Sequence, residues 1–201
     1  MGTIWGLARL AVLAGALAGC VTTENSLSAN DIAAMKLTGV TVSYTPDATI
    51  QWDDGVRAYA ASKGIVDDIA SATNTPEGKA YVQNTLASRI KSGVERQMAG
   101  QLNGTRPVRL DIVVQSFTIS SAVQRIVIGG GHGMVADAKL VDARTGAVII
   151  AHPRLSAVLM AGQGVLGTAV EAAMTNGGQT TLDRIVDTYG GNYRDWLLRR
   201  A

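Results

Sequence analysis

Cys20 is the only cysteine in the chain, and it follows Leu17-Ala18-Gly19 directly at the end of a short apolar run. Leu10 to Ala18 is apolar over about nine residues, against the roughly 20 that a bilayer-spanning helix needs. Arg9 is the only charge before it. Small residues stand in front of the cysteine, as a peptidase cleft requires. The segment therefore reads as an export signal with a small-residue cleavage site. The plainer alternative is an uncleaved apolar N-terminus, or a secretory signal whose cysteine is there by chance.

The other residues that could do chemistry are weaker. Gly129-Gly130-Gly131-His132-Gly133 has the flexibility of a phosphate-cradling loop. Such a loop needs a Lys-Ser or Lys-Thr opening a helix, and Met134 with a strand pattern follows instead. The dinucleotide fingerprint fails for the same reason. A flexible connection between two strands is the better reading. His132 and His152 are the only histidines. They could share a metal with Asp137 or Asp142, but they lack motif spacing, and His152 beside Pro153 reads as a strand end. No serine sits in a nucleophile-elbow pattern. Asp53-Asp54 and Asp67-Asp68 read as helix-start and surface charges rather than an acid/base pair. No catalytic group, cofactor or metal site is expected.

Leu17-Ala18-Gly19-Cys20 resembles the lipobox of bacterial lipoproteins at all four positions. The resemblance implies that the Cys20 thiol receives a diacylglycerol, that the chain is cut before Cys20, and that the new amine is acylated. Leu17, Ala18 and Gly19 would then be the signal-peptidase recognition residues. Each buried methylene contributes about 0.8 kcal/mol, and one acyl chain anchors only marginally. Two or three chains on one residue hold a protein essentially permanently. Val21 follows the cysteine instead of Asp, which by analogy with lipoprotein sorting favours the outer membrane, with the domain facing the periplasm. A lipidated Cys20 leaves no thiol for a disulfide, a metal or a nucleophile.

Behind the leader, residues 20–30 form a polar stretch with Thr22, Thr23, Asn25, Ser26 and Ser28. It reads as a flexible tether, and residues 31–201 as one domain of ordinary size. The chain holds 18 basic and 16 acidic residues. Such a near-neutral balance argues against nucleic acid, which needs a clustered basic footprint. Val40-Thr41-Val42-Ser43-Tyr44 predicts a strand ended by Pro46. Asp53 to Ala72 has helical spacing with a break at Gly64. Thr75, Pro76 and Glu77 make a helix start. From there Val82, Leu86, Ile90, Val94, Met98 and Leu102 recur every four residues. Such a stripe drifts roughly 40° per step, so the helix must curve over a sheet or expose one end. Asn103-Gly104 is the expected stop.

Val108, Leu110, Ile112 and Val114 alternate with Arg109, Asp111 and Gln115. The alternation then slips to Phe117 and Ile119, which predicts a bulge, and Gln124 to Ile128 would continue the strand. Val135 to Val141 and Ala147 to Ala151 flank a turn in which Gly146 takes positive φ. Asp137 and Lys139 would pair across the sheet with Arg109 and Asp111. Leu155 to Met174 carries one acid, Glu171, and several glycines. It would be either a glycine loop with a buried helix, or a segment for membrane or oligomer contact. Val165 to Met174 and Thr180 to Tyr189 read as helices interrupted by glycine. Tyr193 to Leu198 would add an amphipathic tail with about one turn of buried face.

This order of elements, with Val141-Asp142-Ala143-Arg144-Thr145-Gly146-Ala147-Val148-Ile149 in its hairpin, resembles a class of bacterial envelope lipoproteins over roughly residues 37–190. Their α/β domain is like that of the curli secretion channel protein and the N-terminal domain of TolB. The resemblance implies assembly, secretion or envelope maintenance through binding, and no catalytic residues. The expected fold is α/β or α+β: a mainly antiparallel sheet of three to five strands packed by helices. The expected function is a non-catalytic, membrane-anchored binding or assembly module with an envelope protein partner or self-association. The alternatives are an oligomeric secretion or pore component and, motivated by compartment alone, an envelope hydrolase.

Overall fold

A computed structural model describes residues 23–121, 130–160 and 179–200. They form one α+β domain. Its mixed sheet has the order β1 (Met35–Gln51), β2 (Arg106–Ile119), β3 (His132–Asp142), β4 (Val148–Leu159). β1 runs parallel to β2, and the other two pairings are antiparallel. The helices are α1 (Ala29–Ala34), α2 (Asp53–Lys63), α3 (Ile69–Thr73), α4 (Pro76–Met98) and α5 (Thr181–Leu197). α2, α3 and α4 make the crossover that a parallel pair requires.

β1 does not stop at Pro46. It is an edge strand, where a missing N–H costs no ladder bond. Thr45 to Ala48 leave the register between Tyr44 and Thr49, and pairing then resumes. β2 alternates as its sequence predicts: Val108, Leu110, Ile112 and Val114 are fully buried. The predicted slip is a register shift between Val114 and Ser116, after which Phe117 is buried on the helix side. The hairpin turn closes with Gly146 at φ 74°, and Gly146 N–H donates to the Asp142 carbonyl at 2.8 Å. The second half of the glycine-rich stretch is no loop. His132 and Gly133 open β3. A Cβ on Gly133 would stand 2.9 Å from the Ala157 carbonyl, so glycine is what lets β4 approach.

α2 ends where Gly64 takes φ 67°, as the sequence break predicts. α4 starts at the expected cap, with Thr75 Oγ1 accepting from Gly78 N–H at 3.1 Å. It stops earlier than expected, at Met98, because Gly100 rather than Gly104 supplies the left-handed residue, at φ 70°. The drifting stripe exposes neither end: Val82 to Met98 are all buried, and so is Leu102 beyond the helix. Two partners share the stripe. Tyr44 Oη donates to the Gln83 carbonyl at 2.7 Å and ties α4 to β1, while the later turns pack on α5. A Cβ on Gly93 would lie 2.3 Å from Val186 Cγ1, and one on Gly190 would lie 2.9 Å from Gln97 Cγ. Those two glycines permit the close crossing.

The end of the chain differs from its sequence reading. α5 is one continuous helix through Gly190-Gly191. It buries Leu182, Ile185, Val186, Tyr189, Tyr193 and Leu197 along its whole length, not one turn. The stretch expected as a tether is bonded to the domain from Thr23 onward. Trp196 Nε1 donates to the Thr23 carbonyl at 2.6 Å. Asn25 Nδ2 donates to the carbonyls of Leu197 at 2.7 Å and Trp196 at 3.3 Å. Ser28 and Asp31 then form a capping box that starts α1. Within Leu155 to Met174, the first five residues belong to β4. Residues 161–174, Gln124 to Ile128 and Cys20 with its leader lie outside the described residues.

Candidate functional site

A cleft of about 730 Å³ opens at the end of the sheet where β1 and β2 finish and β3 begins. Trp52 and Arg57 line it from the start of α2, Arg89 from α4, Ser120 from the end of β2, His132 from β3 and Thr180 from the cap of α5. Chain order explains the gathering. β1 and β2 are parallel, so both deliver their C-terminal ends here, and the antiparallel β3 brings its N-terminus. Ser121 adjoins a segment outside the described residues, and Thr180 stands one residue from another.

His132 is 3% exposed. Ser120 backbone N–H donates to its Nδ1 at 3.1 Å. A backbone N–H can only donate, so this Nδ1 is unprotonated and a neutral ring carries its proton on Nε2. The Ser120 hydroxyl donates to the Gly131 carbonyl at 2.7 Å, away from the ring. An activated serine needs its own proton directed to a base; here serine and histidine instead lock the ends of β2 and β3 together. Of the acidic pair beside the cleft, Asp54 holds Arg57, and Asp53 is the first residue of α2.

The residues proposed from sequence for metal chemistry are not brought together. His132 pairs with Leu159 and His152 with Ala138, six residues apart along β3, which is about 20 Å. His152 stands edge-on to Trp196 with ring centroids 4.8 Å apart. Asp137 accepts from Gln115 Nε2 at 2.8 Å and from Arg154 N–H at 2.9 Å. Asp142 accepts from Arg144 and Thr145 N–H groups at 3.1 and 3.2 Å. These turn N–H groups hold its carboxyl below the usual range, and Arg106 adds to them. Among the described residues no three His, Cys, Asp or Glu side chains are grouped to hold a metal ion. Asp68 starts α3, in line with its sequence reading.

The sheet face opposite the helices is polar. Lys139 lies opposite Asp111, as expected, but Arg109 lies opposite Val141 and Asp137 opposite Val113. Arg109 therefore turns along its own strand and grips Asp111 with Nε at 2.6 Å and Nη2 at 2.9 Å. Thr41 Oγ1 donates to the same carboxylate at 2.7 Å. The Arg109 bonds, then Thr41, hold Asp111 below the usual carboxylate range. Sequence reasoning missed Trp52, Arg57, Arg89 and Ser120 as neighbours, because no local spacing encodes a meeting of three separate elements.

The class defined by this arrangement is an α+β domain of a four-stranded mixed sheet with helices. The chain belongs to the family of unknown function DUF6778, whose model matches residues 73–201. That match takes in α4, β2 to β4 and α5. No curated protein matches the chain. Among solved structures, it is similar to a candidate lipoprotein from Caulobacter crescentus, at 16% identity and TM-score 0.35, covering 57% of this chain and 81% of that one. It is similar to a Xanthomonas campestris protein of the DUF330 family, at 12% identity and TM-score 0.41, covering 82% and 83%. A PelC dodecamer from Paraburkholderia phytofirmans is similar at 10% identity and TM-score 0.34, covering 85% and 94%. Among the described residues no helix is long and apolar enough to cross a membrane.

Proposed function

We propose that this chain is a bacterial envelope lipoprotein, held by acyl chains on Cys20, whose domain works by binding rather than by catalysis. The observation that carries the reading is Leu17-Ala18-Gly19-Cys20 behind a nine-residue apolar run. The engagement of His132, Asp142 and Asp137 supports it. His132 locks two strand ends, Asp142 shapes a turn, Asp137 ties Gln115 to Arg154, and Asp111 takes up Arg109. The cleft beside His132 is the surface offered to an envelope protein partner. Val21 after the cysteine favours the outer membrane, with the domain on the periplasmic side.

Metabolic labelling with a radioactive or clickable palmitate tests the anchor. The wild-type chain takes the label, and Cys20→Ala does not. Label on both proteins would remove the anchor and the proposal with it. Photo-crosslinking from position 57 tests the binding surface. One envelope protein captured there, and not from position 66 on the loop after α2, is the expected result.

A further inference from the structure

Three residues separate Cys20 from the Thr23 carbonyl that Trp196 Nε1 holds at 2.6 Å. A fully extended chain covers at most about 3.3–3.6 Å per residue, so this leash can reach no farther than roughly 10 Å. The hold is not a single bond. Asn25 caps the last carbonyls of α5 at 2.7 and 3.3 Å, and its Oδ1 accepts from Leu27 N–H at 3.0 Å. Arg199 reaches back to the Asn25 carbonyl at 2.7 Å and also to the Leu27 carbonyl. Residues 23–27 are thereby strapped to one end of the C-terminal helix, although the sequence separation exceeds 170 residues.

We infer that this strap fixes which end of the domain meets the membrane: the C-terminal end of α5, bearing Trp196, Arg199 and Arg200, rests on the phospholipid headgroups, and the cleft points away from them. The inference rests on the lipid anchor at Cys20 and goes beyond it. A free tether ending at Asn30 would let the domain tumble several times farther from the surface. The strap removes that freedom. Arg200 is exposed at this end, where a guanidinium group meets phosphate oxygens bidentately. Arg199, also exposed, adds positive charge while its Nη2 holds the strap. Trp196 adds an indole at headgroup depth. Asp195 does not set the charge against lipid, because Arg194 Nε holds it at 2.8 Å. The helix is 17 residues long, about 25 Å at 1.5 Å per residue. Thr180 to Leu182 at its other end line the cleft. A partner would therefore be met about 25 Å out, not at the lipid surface.

The two tryptophans behind Cys20 mark the two ends: Trp52 lines the cleft and Trp196 sits in the strap. The full lipidated protein with Trp52→Phe is reconstituted into phosphatidylethanolamine–phosphatidylglycerol vesicles that carry a dansyl headgroup acceptor. Strong energy transfer from Trp196 is expected. The wild type, with both tryptophans, should show an added untransferred emission from Trp52. Adding Asn25→Ala and Arg199→Ala should lower transfer from Trp196 severalfold while the protein still floats with the vesicles. Equal transfer from both ends, or transfer unchanged by the strap substitutions, overturns the orientation and leaves the anchor standing. Wild-type protein that does not float, or Cys20→Ala protein that floats as well as wild type, overturns the anchor itself.

Discussion

The two ends of α5 are held by different chemistry. At its N-terminus a local cap is joined by ion pairs from α4. Thr180 Oγ1 accepts from Asp183 N–H at 3.2 Å, and Asp183 answers the Thr180 N–H and hydroxyl. Arg89 reaches Asp183 from α4 at 2.7 Å, and one turn on Arg96 reaches Asp187 at 3.1 Å. At its C-terminus the bonds are non-local and mostly to backbone carbonyls, around an aromatic cluster of buried Tyr193 with half-buried Trp196 and His152. The Thr180–Asp183 cap is one that a helix can make for itself. The second exists only when the chain closes on its own beginning. The ionic end borders the cleft, and the aromatic end carries the strap, so adjustable contacts lie where a partner would dock.

The largest effect should come from the aromatic end. Trp196→Ala removes the ring packed on Tyr193 and His152 as well as the donor to Thr23. Burying a large aromatic and then deleting it costs about 3–5 kcal/mol in a full core. Trp196 is only partly buried, so about 2–3 kcal/mol is expected in urea denaturation. A loss below about 1 kcal/mol would make the two ends alike. Asn25→Ala comes next, at about 1–2 kcal/mol for three lost bonds to backbone. Its amide-exchange signature is sharper than its stability cost: residues 23–27 should lose protection while α5 keeps its own.

This contrast also marks what the sequence could carry. β2 was legible because a period of two lies within a few residues: Leu110 and Ile112 in, Arg109 and Asp111 out. The Thr75 cap and the Gly146 turn were legible for the same reason. Pro46 misled because edge position is a property of the sheet, not of the residue. The stripe on α4 showed how much surface must be covered but not that α5 covers half of it through Gly93 and Gly190. The cleft and the strap were invisible. Trp196 and Thr23 are 173 residues apart, and nothing in either neighbourhood names the other. The sequence read instead as a polar tether and a one-turn tail, each a reasonable description of a segment considered alone.

At the ionic end the expected losses are smaller. Thr180→Ala should cost about 1 kcal/mol, as other capping residues do. Acid should act through the same cap. Burial raises the Asp183 carboxyl, but the Thr180 hydroxyl and N–H, with Arg89, outweigh it, and the net shift is downward. A group with a depressed folded pKa contributes stability above its unfolded value, near 3.9 for Asp. That contribution is lost as pH falls through the folded value. Wild type and Asp183→Asn should therefore differ most at neutral pH and converge as pH falls through the lowered value of the folded carboxyl. A gap that stays constant across that range would take the charge of Asp183 out of the account.

The smallest effect tests whether the ion pairs between α4 and α5 join in holding the cleft end. The Arg89 side chain is 49% exposed and Asp183 22%. Exposed pairs are screened by solvent and contribute roughly 0–1 kcal/mol. A double-mutant cycle on Arg89→Gln and Asp183→Asn should give a coupling of about 0.5 kcal/mol. Salt should weaken it, because the Debye length shrinks to about 3 Å at 1 M. Coupling well above that, insensitive to salt, would mean that the pair is shielded from water. The cleft end would then be as firmly closed as the strap end. Weak, salt-sensitive coupling leaves Arg89 free to exchange Asp183 for an acidic group on a partner, and the contrast between a fixed membrane end and an adjustable cleft end stands.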